Sequence, residues 1–151
     1  MIFKKVNFLF EDFSRKDLGM TTEQFLTSKE LQEELTDVFG DNFYSKKLCH
    51  QVCKKVVELS EDSDVQAVTN ILVYLKTEEE YELISSKGHC VVLYKNKLYD
   101  YTSDQYANYG VSEVGGLRIL SETSDITEFD DMEIGDARVF VNGTYVILLM
   151  T

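Results

Sequence analysis

The hydrophobic pattern of this chain changes period near its middle, and that switch constrains the fold more than any other feature. Leu31, Leu35 and Val38 recur at helical spacing, with Gly40 as a terminator, which predicts a helix near 28–39. Thr21 with Gln24, and Thr27 with Glu30, fit the capping-box spacing of a helix start. Leu48, Val52, Val56 and Leu59 form a second stripe, predicting a helix from near Ser45 to about Ser60 with Cys49 and Cys53 beside the stripe. Residues 61–64 suit a turn. Val65 to Lys76 fits either period. The β-branched and aromatic cluster at its end favours a strand at 69–76. Beyond this the pattern is that of sheet: His89 to Tyr94, a turn at Lys95-Asn96-Lys97, Leu98 to Thr102, and Leu117 to Leu120. Asn142-Gly143 separates Ala137–Val141 from Thr144–Met150 and predicts a hairpin with a type I′ turn. Val6, Phe8 and Phe10 alternate, which adds a strand over 2–10. Helices followed by antiparallel strands make an α+β fold, with N-terminal helices packed on an antiparallel β-sheet.

No proline, repeat or low-complexity segment marks a linker, so residues 1–151 read as a single domain. No apolar run approaches the roughly 18 residues of a membrane span. The opening segment is broken by Lys4, Lys5 and Asn7, unlike a secretory signal. Three cysteines without such a signal argue for a reducing, cytoplasmic setting rather than a disulfide framework. The net charge of -12 disfavours direct binding to nucleic acid. Gly115-Gly116 lacks the spacing of a phosphate loop, and no cofactor motif is present.

Both histidines lie beside cysteines, in Cys49-His50-Gln51-Val52-Cys53 and in Gly88-His89-Cys90. A cysteine near a helix N-terminus feels a dipole that favours the thiolate. A histidine on a neighbouring strand can exchange a proton with it, and a carboxylate can orient the imidazole. Cys49, His89 and Asp100 have that order. If the turn centres on Asn96, residue numbers summing to about 190–192 face each other, which puts Asp100 across from 90–92. Cys53, one turn from Cys49, is the alternative nucleophile. All three cysteines also fit small buried core residues, and His50 reads as a surface residue. Asp100, Thr102 and Asp104 also fit turn caps. A metal reading would join Cys49, Cys53 and His89, but His89 and Cys90 point to opposite strand faces.

The run Gly88 to Tyr106, ending in Asp100-Tyr101-Thr102-Ser103-Asp104-Gln105-Tyr106, resembles the histidine-to-aspartate segment of papain-like and transglutaminase-like proteins, in a bacterial and phage branch. The resemblance covers roughly residues 45–106 and is most specific over 88–106. It implies a papain-like fold and a thiol hydrolase or acyltransferase with Cys49, His89 and Asp100 as its triad. It also singles out Gln105 for binding. The substrate would be a protein or peptide. Asn42 and Gln32 are the nearby candidates for an oxyanion donor. A second reading, from charge alone, is a non-catalytic protein whose acidic stretch from Glu122 to Glu133 blocks a basic partner, for example one that handles nucleic acid. Salt separates the two: charge-driven binding weakens steeply as ionic strength rises, whereas thiol reactivity changes little, and titrations at low and high salt read the difference.

Overall fold

A computed structural model of the chain describes residues 13–129, 132 and 134–151. The strand expected over 2–10 lies outside the described residues. Within them the fold is α+β: three α-helices precede an eight-stranded antiparallel sheet.

Helix α1 (Thr22–Leu26) carries the expected capping box, with Thr21 and Gln24 bonded to each other's backbone. Helix α2 (Lys29–Phe39) starts at Ser28 rather than Thr27, because the Ser28 hydroxyl accepts from the Leu31 N–H at 3.0 Å. Helix α3 departs further from expectation. A separate 3-10 turn at Phe43–Ser45 buries Phe43, and the chain re-extends at Lys46, so α3 spans Cys49–Ser60. The helix therefore begins four residues later than the stripe predicted.

The sheet order is β1-β4-β5-β6-β7-β8-β2-β3. Its strands are β1 (Gln66–Val68), β2 (Ile71–Thr77), β3 (Glu80–Ser85), β4 (Val91–Tyr94), β5 (Lys97–Asp100), β6 (Arg118–Glu122), β7 (Arg138–Asn142) and β8 (Tyr145–Leu149). The ambiguous segment is thus a strand. The Glu78-Glu79 turn folds β3 back on it, with Thr77 opposite Glu80. The final hairpin forms one residue out of the expected register. Asn142 pairs with Tyr145, so Gly143 and Thr144 are the turn, with Gly143 at φ 58°. Asn142 is held in the strand by its side chain, which donates to the Ile119 carbonyl at 2.8 Å and accepts from Arg118 Nη1 at 3.2 Å.

Strand alternation sorts the central hairpin between two cores. Cys90, Val92 and Tyr94, with Tyr99 and Tyr101, face the helices and pack with Phe25, Leu35, Val52 and Val56. Val91 and Leu98 face the other way, toward Ile147, Phe140 and Tyr145. No helix among the described residues is long and apolar enough to cross a membrane.

After β5 the chain makes a 3-10 segment at Ser103–Tyr109, stopped by Gly110 at φ 99°. A Cβ at Gly110 would lie 2.9 Å from Leu75 Cδ2. Gly110→Ala is therefore expected to cost about 1–3 kcal/mol, from left-handed backbone and overpacking together. Urea unfolding of the variant measures the loss.

Candidate active site

The β4–β5 hairpin pairs Val92 with Tyr99, Leu93 with Leu98 and Tyr94 with Lys97. Each pair sums to 191, inside the predicted range. His89 stands just before β4, and Asp100 ends β5. His89 Nε2 and Asp100 Oδ2 are 2.8 Å apart, with side chains 1% and 0% exposed. Asp100 is satisfied on both oxygens: the Tyr145 hydroxyl donates to Oδ2 at 2.7 Å, and the Thr102 N–H donates to Oδ1 at 3.1 Å. The turn-cap role and the partnership with histidine are held by one side chain. Tyr106 stacks edge-on against the imidazole at 5.0 Å.

Cys49 is the first residue of α3, where the N-terminal end of the helix dipole is strongest. The later helix start brings this about. The thiol donates to the Gly88 carbonyl at 3.2 Å, beside His89. The thiol is among the neighbours that raise the His89 pKa. With Nε2 committed to Asp100, Nδ1 is the nitrogen left free of that bond. Gln105 reaches the same nitrogen: its Nε2 lies 3.4 Å from Nδ1, held by the Thr102 carbonyl at 3.1 Å and hydroxyl at 3.0 Å. The structure thus brings Cys49, His89, Asp100 and Gln105 together.

Burial would push the His89 pKa down. The charge and hydrogen bond of Asp100, followed by those of Cys49, outweigh it and raise the pKa to about 10. For Asp100, burial pushes the pKa up, and the charge and hydrogen bond of His89, the Tyr145 hydroxyl and the Thr102 N–H bring it below the usual carboxylate range. Both shifts favour the charged pair at neutral pH.

Other expectations fare differently. Cys53, 2% exposed, lies in the helix-side core. A hydrogen bond with Cys90, then burial, raises its pKa well above the ordinary thiol value, so it is poorly placed to attack a substrate. His50 is exposed, with Nδ1 3.5 Å from the Cys49 sulfur. Gln32 lies against Gly116, and Asn42 accepts from the Tyr44 hydroxyl, so neither faces Cys49. Sequence reading did not single out the backbone groups at the start of α3. Leu48 stands at the N-cap with no side-chain oxygen to offer, and among the described residues no acceptor meets the N–H groups of Cys49 and His50. Leucine directly before the cysteine was the available signal. Asp104 holds the loop ahead of β6 through the N–H groups of Val114 and Gly115. No group of three or more His, Cys, Asp or Glu side chains among the described residues is arranged to hold a metal ion. In the acidic stretch, Glu122 is tied to Arg138 by two 2.9 Å bonds and Glu128 engages Lys76 and Tyr81.

Cys49, only 4% exposed, forms part of the floor of a groove of about 370 Å³. Gly88, Gln105, Tyr106 and Tyr109 also line it.

A raised folded-state pKa means that the folded protein holds the proton more tightly. The His89 contribution to stability is therefore full below its unfolded value of 6.5 and lost as pH rises through about 10. The Asp100 contribution is full above its unfolded value of 3.8 and lost as pH falls through the lowered folded value. Asp100→Asn is expected to cost about 3–5 kcal/mol near neutral pH, because it breaks a buried pair. Its urea midpoint should also fall less between pH 7 and 10 than that of the parent. Equal falls would contradict the assignment.

No family model matches the chain, and neither a curated protein nor a solved structure shows significant similarity to it.

Proposed function

We propose that the protein is a small thiol hydrolase or acyltransferase acting on an amide-type bond, with a papain-like arrangement of Cys49, His89 and Asp100. The observation that carries this reading is the placement of Cys49 at the start of α3, on a groove and beside His89, whose other nitrogen bonds Asp100 at 2.8 Å. Cys49 also belongs to the helix-side core, and packing alone needs none of these features.

In this reading the Cys49 proton passes to solvent as substrate binds, and the thiolate attacks the substrate carbonyl carbon beside the imidazolium of His89. The carbonyl oxygen becomes an oxyanion facing the N–H groups of Cys49 and His50, aided by the N-terminal helix dipole. The C–N bond then breaks, and His89 passes its proton to the departing amine. A thioester remains on Cys49. Water, or an amine acceptor, gives a proton to His89 and attacks the thioester, and the sulfur is expelled as thiolate beside the restored imidazolium. Asp100 stays ionised and holds the imidazole in line. Gln105, anchored by Thr102, lies at the edge of the attack site and would donate to the bound acyl group. The substrate is a protein or peptide, and the chemistry suits a reducing, cytoplasmic setting that keeps Cys49 a thiol.

Cys49→Ala should abolish turnover of an amide substrate while leaving the circular dichroism spectrum of the parent. Asp100→Asn, where it remains folded, should lower turnover by about 10²–10⁴-fold, by analogy with the loss of an orienting carboxylate in other triads. Unchanged turnover in folded Cys49→Ala would sink the reading.

A further inference from the structure

The charge of the groove runs against that of the molecule. The chain has 27 acidic and 15 basic residues, so an average patch of its surface is negative. The groove beside Cys49 is lined by Lys47 and Lys87 and by no carboxylate. Neither lysine forms an ion pair among the described residues, whereas Lys76 and Lys95 both do. Their placement is also symmetrical. Lys47 stands two residues before Cys49, and Lys87 two residues before His89. The two segments that deliver the reacting groups therefore each deliver a cation to the same groove. Tyr109, 60% exposed, adds an aromatic wall against which an extended chain can lie.

Resting on the thiol acyl-transfer reading above, we propose that the groove selects an acyl donor with a carboxylate side chain next to the scissile carbonyl, an acidic peptide segment held by Lys47 and Lys87. The net charge of -12 repels an approaching anion, so two ammonium groups without an ion-pair partner among the described residues, beside the nucleophile, give both recognition and a local landing point. Lysine suits this task as a mobile point charge that follows the carboxylate without imposing one geometry. A substrate with a neutral or basic residue at this position would leave both ammonium groups unmatched.

The test uses two otherwise identical N-acetyl dipeptide chloromethyl ketones, one ending in Glu and the other in Gln. In each, the Cys49 sulfur displaces chloride and forms a thioether, and intact mass reports the rate. The expected result is alkylation of Cys49 about fivefold or more faster by the Glu probe, which is the size of effect two exposed ion pairs can give. The ratio of the two rates should fall toward one in Lys47→Ala/Lys87→Ala and at high salt. Because both probes meet the same folded population, partial unfolding of the variant does not alter that ratio. Equal alkylation of Cys49 by the two probes, or a Glu preference untouched by the double substitution, overturns the substrate class and leaves the nucleophile in place. Failure of both probes to modify Cys49 overturns the acyl-transfer reading itself.

Discussion

Two opposite charges buried side by side, on His89 and Asp100, set the terms for much of this structure. Taking them out of water costs several kcal/mol per ion, and that cost is offset only if every remaining polar atom is met. For the Asp100 carboxylate it is met, by the imidazole and by two further donors. β5 supplies Asp100, β8 supplies the Tyr145 hydroxyl, and the turn after β5 supplies the Thr102 N–H. Tyr145 in turn lies under the Arg118 guanidinium, 5.2 Å from its ring centre, and Arg118 is fixed by Ser103 and Asn142. The polar network thus runs from the site into β6 and the last hairpin. This is why Asn142 belongs to β7 and not to the turn.

The second constraint is the late start of α3. An N-cap of serine, threonine, aspartate or asparagine typically adds about 1 kcal/mol to a helix, and Leu48 forgoes it. What is left is a helix start with no side-chain cap, beside a thiol. Local rules are most often broken where a protein does its chemistry. An uncapped helix start and a buried charge pair lie next to one another here, at the edge of one groove. No carboxylate lines that groove.

Much of this was legible in the sequence because period-2 and period-3.6 patterns report burial directly. The β4–β5 register fell inside the expected range, although the turn is Lys95-Asn96 and not the three residues Lys95-Asn96-Lys97, since Lys97 pairs with Tyr94 in β5. The start of α3 was not readable. The 3-10 turn at Phe43–Ser45 depends on the burial of Phe43, a tertiary effect that no local pattern carries. The contribution of Tyr145 was also hidden, since it comes from a strand 45 residues away from Asp100. Strand β3, half exposed and rich in charge, has too weak an alternation to stand out. The uncapped N–H groups at the start of α3 went unread because backbone groups have no sequence signature beyond the absence of a cap.

The central claim is that Cys49 is chemically coupled to His89, and the rate of Cys49 alkylation by iodoacetamide tests it most directly. Peptide mapping under native conditions assigns the label among the three cysteines, and His89→Gln provides the comparison. The account predicts that Cys49 is labelled ahead of Cys53 and Cys90, and that its rate falls by tenfold or about that in folded His89→Gln. Equal labelling of the three cysteines, or a Cys49 rate indifferent to His89, would contradict the account and leave the cysteine as packing.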